Sequence, residues 1–147
     1  MPPGNLIKYW LPVLLWMGLI FWMSTGMFSS INTFHFFEPI LRWIDPTISR
    51  YSVIIINNSI RKAGHVTEYF ISGMLLFRAF RAGSSEPRIL RCGILSVVFI
   101  VLFAAGDEYH QSFVASRTAS VLDVGIDTAG GLVAICVSML RQYRRGR

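Results

Sequence analysis

Ile94-Leu95-Ser96-Val97-Val98-Phe99-Ile100-Val101-Leu102-Phe103-Ala104-Ala105 runs directly into Gly106-Asp107-Glu108-Tyr109-His110-Gln111-Ser112-Phe113-Val114-Ala115-Ser116-Arg117, and this junction decides the fold. Its first half is too apolar for an ordinary surface helix and, with the polar end, is long enough to cross a bilayer. Acids and a histidine joined directly to such a segment are costly, and persist where they pair or serve a purpose. Function is therefore to be sought in the polar half and its continuation to Asp127.

The rest of the chain agrees with a membrane setting. Of 147 residues 53% are hydrophobic and only 15% charged, which fits one membrane domain over 1–147 and leaves no room for a second. The net charge of +6 does not indicate nucleic acid, because the basic residues sit in short clusters beside apolar runs, the distribution of topology signals. The apolar run that begins after Lys8 is too long for a signal-peptide core and lacks a small-residue cleavage site, so it is read as a retained helix.

Four apolar segments, about 9–28, 63–80, 92–111 and 121–140, each approach the length of a membrane span. The expected fold is all-α: a bundle of four transmembrane helices with a partly structured outer connection between the first and second. Arg78, Arg81, Arg88 and Arg91 flank one connection and Arg141, Arg144, Arg145 and Arg147 form the tail. The excess of Lys and Arg on cytoplasmic loops then puts both termini inside a bacterial inner membrane. Cys92 and Cys136 fall at the inner ends of helices, where a disulfide is disfavoured, and read as packing residues. In the outer connection Phe37, Ile40, Leu41 and Ile44 predict a short interfacial helix with Pro39 in its first turn and Pro46 after its end. For the β-branched run at 51–56 a strand, a re-entrant piece and the start of the second helix are all open.

This topology collects almost every intramembrane ionisable group in the outer third of the bilayer. Arg61, His65, Glu68 and Ser72 share one helical face, with Lys62 and Tyr69 beside it. Asp107, His110 and Gln111 share a second, Asp123 and Asp127 a third, and the small residues Ala129, Gly130 and Ala134 allow close helix approach. Three such stripes predict an outward-facing polar pocket built on the second, third and fourth spans. A purely structural network, with His65, Lys62 and Arg117 neutralising the acids, is the plainer account of the same residues, but helix association needs fewer charges. The spacings His65-x-x-Glu68 and Asp107-x-x-His110 would also suit a metal, yet the paired Glu-x-x-His motifs with two further glutamates typical of bundle-core sites are absent. No cofactor is identifiable from the residues.

Arg61-Lys62-Ala63-Gly64-His65-Val66-Thr67-Glu68-Tyr69, the run from Asp107 to Val114, and Arg117 followed by Ser120, Asp123, Asp127 and Gly130-Gly131 together resemble the VanZ-like family of small bacterial membrane proteins. Ser24 fits the family's serine near the end of the first helix, and the resemblance extends from about residue 11 to 140. It implies action on the cell envelope, since the founding member is associated with resistance to teicoplanin, a lipid-tailed glycopeptide acting on wall precursors. Asp127 stands where the family commonly has asparagine, so its charge is not expected to be essential. A weaker similarity is to membrane type 2 phosphatidic acid phosphatases: Ser116-Arg117, five residues, Asp123, three residues, Asp127 reproduces the spacing of their last motif. Asp123 occupies the place of the nucleophilic histidine there, which argues against histidine-based phosphotransfer.

Two functional expectations follow. As a binding protein for membrane lipids, lipid-linked cell-wall precursors or a lipophilic glycopeptide, the chain would use Arg61, Lys62, Glu108, Gln111, Arg117 and Asp127 to hold the ligand, the arginines gripping a phosphate or carboxylate. As an intramembrane hydrolase or transferase on a lipid-linked phosphate, it would use His65 or His110 as proton carrier, Glu68 or Asp107 to orient the imidazole, and Asp123 as base or nucleophile. The methionines at 17, 23 and 27, the Trp16/Trp22 pair and His35 read as packing or interface residues.

Overall fold

The computed structural model describes residues 3–82, 88–117 and 119–145. Residues 83–87, within the connection that Arg81 and Arg88 flank, and Arg147 of the basic tail lie outside the described residues. Among the described residues five α-helices follow one another: α1 over Pro3–Met23, α2 over Ser30–Ile44, α3 over Arg50–Ala82, α4 over Ile89–Gln111 and α5 over Val121–Arg145, with a 3-10 turn at Gly26–Phe28. No strand occurs among the described residues, and the all-α expectation holds.

Three stretches, Leu6–Met23 of α1 and the whole of α4 and α5, are long and apolar enough to cross a membrane. The expected second span is a different object. Instead of 63–80 it covers Arg50–Ala82, 33 residues or about 50 Å at 1.5 Å per residue. Arg61, Lys62, His65 and Glu68 lie in its middle. The run at 51–56 is therefore the beginning of this helix. Ser49 starts it as an N-cap, its Oγ accepting from the Ser52 amide at 3.0 Å. The helix survives its β-branched run because Val53 and Asn57, one turn apart, are buried. The Asn57 side chain also donates to the Ser30 carbonyl of α2 at 3.2 Å.

The helix in the connection between α1 and α3 is longer than the sequence predicts. Ser29 caps α2, accepting from the Asn32 amide at 3.4 Å, and Pro39 falls well inside the helix rather than in its first turn. In the expected apolar stripe Phe37 and Leu41 are half-buried, while Ile40 and Ile44 are exposed together with Ile31, Phe36 and Trp43. The protein-facing side of α2 is thus narrower, and its outer side is left apolar, as on a helix lying in a lipid interface. At its end the Asp45 carboxylate accepts from the Thr47 hydroxyl at 2.7 Å and amide at 2.9 Å, which holds that carboxyl below the usual range and closes the turn into α3.

α3 is the hub, packing against α1, α2, α4 and α5, and α4 and α5 also pack on each other. Val13 and Ile20 of α1, Tyr69, Leu76 and Phe77 of α3, Ile100 and Ala104 of α4 and Ile135 of α5 form one core. Where α3 meets α5, a Cβ on Gly130 would lie 2.7 Å from the Val66 carbonyl oxygen, and one on Gly73 2.6 Å from that of Gly131. Close approach of these two helices thus rests on Gly73 and Gly130, with Ala134 beside Gly73, while a Cβ on Gly131 would meet Ile100 of α4 at 2.8 Å; Ala129, expected to share in it, is exposed. Both cysteines are free; Cys92 is buried, but Cys136 is exposed rather than packed.

Candidate functional site

Arg61, Gly64, His65 and Glu68 recur at three- and four-residue spacing, so α3 presents them on one face. They line a cavity of about 210 Å³ with Met23 and Ser24 at the end of α1, Phe28, Thr33 and Phe37, Ile60, and Arg117 from the turn between α4 and α5. A second cavity, of about 150 Å³, lies on the other side of the same face, lined by Asn58, Arg61, Lys62, His65, Asp123, Ile126 and Asp127. Arg61 and His65 form the wall between them. The pocket expected among the second, third and fourth spans is in this way divided: one cavity faces α1 and α2, the other α5.

His65 Nδ1 lies 3.4 Å from Asp127 Oδ1, and the Asp127 side chain is completely buried. The carboxylate set against His65 is therefore Asp127, which register between α3 and α5 decides, rather than Glu68 on its own helix or Asp107. The contact has ion-pair distance without hydrogen-bond geometry, and neither carboxylate oxygen of Asp127 has a hydrogen-bond partner among the described residues. Glu68 feels the charges of His65, Asp127, Asp107 and Arg117. Its backbone carbonyl accepts from the Trp16 indole at 3.0 Å and from the Ser72 hydroxyl at 2.9 Å, fixing this turn of α3 against α1.

On α4 the polar residues hold the scaffold. Gln111 donates to Asp107 Oδ2 at 3.0 Å within the buried interior. Glu108, buried like Asp107, accepts from the Ser120 amide at 2.8 Å and so places a carboxylate at the start of α5, where amides point outward without partners. His110 leans on the Phe21 ring of α1 with centroids 4.2 Å apart. None of these four lines either cavity.

Arg117 reaches across the molecule. One terminal nitrogen donates to the Met23 carbonyl at 2.6 Å and the Thr25 carbonyl at 3.2 Å, capping the negative C-terminal end of α1. Burial, and then the charge of Arg61, pull its pKa below the ordinary value, against the acids Asp107, Glu68 and Glu108. A guanidinium stays cationic through such a shift. With one nitrogen committed to α1, Arg117 keeps only part of its fork for a ligand, and Arg61 is the freer cation.

Buried polar atoms are ordinarily hydrogen-bonded. Here Asp107 Oδ1, Glu108 Oε1, both Asp127 oxygens, His65 Nδ1, Arg117 Nε and the Tyr69 hydroxyl lack a partner among the described residues, and they belong to one neighbourhood. The candidate metal ligands do not converge: among the described residues no three His, Cys, Asp or Glu side chains come together closely enough to hold an ion. Sequence reasoning missed Phe28, Thr33, Ile60 and Asn58 as lining residues and Trp16 as a support. Ile60 and Gly64, a turn apart beside Arg61 and His65, carried a legible signal; Phe28 and Thr33 carried none.

No curated protein and no solved structure matches the chain. The glycine-lined contact of α3 with α5, the buried Asp107 and Glu108, and the Arg117 cap of α1 all lie within residues 9–142, which match the model of the VanZ/LLP1 family; the chain belongs to that family.

Proposed function

We propose that the chain is a four-span protein of the bacterial inner membrane, with both termini in the cytoplasm, α3 as the fourth span, and the Arg61/His65 site at the outer leaflet. There it binds the anionic headgroup of an envelope amphiphile: a membrane lipid, a lipid-linked cell-wall precursor or a lipophilic glycopeptide such as teicoplanin. The observation that carries this reading is the composition of the larger cavity. Arg61 and Arg117 supply cationic donors and His65 an imidazole at one side, with the Glu68 carboxylate beside them, and Phe28, Phe37 and Ile60 supply an apolar wall toward α2. A headgroup needs the first and an acyl chain the second.

The test is retention by the detergent-purified chain of a fluorescent lipid-linked wall precursor, an anionic phospholipid and teicoplanin, compared with Arg61→Gln and His65→Ala. Loss of a hydrogen bond to a charged group is expected to weaken binding of one of these ligands by about tenfold or more in Arg61→Gln. Unchanged binding in both variants would remove the cavity as the site. Selective protection against teicoplanin over vancomycin in cells, lost in an equally expressed Arg61→Gln, would identify the glycopeptide branch.

One observation favours a second reading, an intramembrane hydrolase of lipid-linked phosphates. His65 sits against a buried carboxylate beside a cavity that also holds Asp123. In that chemistry Asp127 orients the imidazole, His65 moves the proton, and Asp123 acts as base or nucleophile. A purified chain that leaves a panel of lipid phosphates intact, with and without divalent metals, would exclude it.

A further inference from the structure

At the C-terminal end of α3, about 20 Å along the helix from His65, the last turns of α3 and α5 border a cavity of about 500 Å³ lined by Tyr9, Met74, Phe77, Arg78, Arg81, Ala82, Ser138, Arg141, Gln142 and Arg145. Four arginines from two helices line it, Arg78, Arg141 and Arg145 exposed and Arg81 half-buried. Among the described residues no carboxylate lines it, and the described ion pairs, Arg42 with Glu38 and His65 with Asp127, are both elsewhere. The Arg78 guanidinium lies over the Tyr9 ring, 5.1 Å from its centroid, which fixes it at the rim without neutralising it. Ser138 and Gln142 add uncharged polar groups, and Met74 and Phe77 give an apolar floor.

A topology signal requires only that basic residues lie on one side of the membrane. Arg88, Arg91 and Arg144 meet that requirement without lining the cavity. Four like charges around one cavity are a further feature, and an anion bound there would offset their mutual repulsion. Guanidinium forks bind phosphate oxygens in pairs, and four of them match two phosphate groups better than one. We propose that this cavity is a binding site for a diphosphate-class anion, its apolar floor fitting it to the headgroup of a two-phosphate lipid in the leaflet opposite the Arg61/His65 site. Basic pockets between helices are a recurrent solution for such headgroups.

The test uses the full chain in nanodiscs containing phosphatidylcholine with cardiolipin, phosphatidylglycerol or neither, with bound lipid counted after detergent extraction. Arg141→Gln/Arg145→Gln removes two exposed cavity charges, and Arg88→Gln/Arg144→Gln removes two from outside it. The expected result is enrichment of cardiolipin over phosphatidylglycerol at equal total charge, reduced about tenfold in the cavity variant and retained in the other. Inorganic pyrophosphate distinguishes the sources. If it displaces cardiolipin only at far higher concentration, the lipid is the ligand; if it binds tightly without lipid, the anion site stands and the lipid assignment falls. Equal loss in both double variants, or no preference for two phosphates over one, would overturn the proposal. A misfolded cavity variant would show as aggregation in size exclusion, and the single variant Arg145→Gln, at the end of α5, then supplies the reading.

Discussion

At the level of single residues, Gly130 separates packing from chemistry. Its ideal Cβ would lie 2.7 Å from a backbone oxygen of Val66, which cannot rotate away as a side chain would, so Gly130→Ala must push α3 from α5. That substitution is expected to destabilise the chain by about 1–3 kcal/mol. Gly125→Ala, on the same helix with nothing within 4 Å, should leave the unfolding temperature in detergent unchanged or slightly raised. Equal effects of the two would mean that α3 and α5 are not so close. The value of this residue was visible in the pair Gly130-Gly131. The partner of His65 was not: spacing along one helix reveals which residues share a face, so Glu68 looked available, but the contact with Asp127 depends on how α3 and α5 are set along each other. The same limit hid the role of Arg117, whose acceptors at Met23 and Thr25 are more than ninety positions away.

Among the elements, α2 and the first part of α3 were the least legible. Isoleucine and valine favour strands by their stiffness, and a run such as Val53-Ile54-Ile55-Ile56 has no period of its own. The cap at Ser49 was the available sign of a helix start. Asn57 then ties the two elements together through the Ser30 carbonyl, beside a cavity of about 310 Å³ that includes Phe34, His35 and Arg50. Because no residue of α2 is fully buried, this bond and the contacts of Phe37 and Leu41 hold the helix in place. Asn57→Ala should therefore loosen α2 alone. Amide exchange of 30–44 is expected to accelerate about five- to thirtyfold, for a loss of about 1–2 kcal/mol, while α4 and α5 keep their protection. Acceleration throughout the bundle would show that Asn57 supports the core; no acceleration in α2 would show that the helix is held by other contacts.

For the whole molecule the decisive matter is whether α3 crosses the membrane. Length and apolarity qualify α1, α4 and α5, whereas α3 carries Arg61, Lys62, His65 and Glu68 of the site together with Arg78 and Arg81 and does not qualify. As the hub it turns much of that polar face toward α1, α2 and α5, so in a four-span arrangement those neighbours would stand where lipid otherwise would. The same arrangement puts the acids at one end of the bundle and the cavity of Arg78, Arg81, Arg141 and Arg145 at the other. Four spans then require Tyr51 and Ala115, both exposed, on one side and exposed Arg144 on the other. With the native cysteines replaced by alanine, a membrane-impermeant maleimide on intact cells should label Tyr51→Cys and Ala115→Cys, and should reach Arg144→Cys only after permeabilisation. A protected Tyr51→Cys with a labelled Ala115→Cys would make α3 a helix on the cytoplasmic side and leave three spans. Labelling of Arg144→Cys alone would invert the molecule, turning the Arg61/His65 cavity to the cytoplasm, where no wall-directed glycopeptide could reach it.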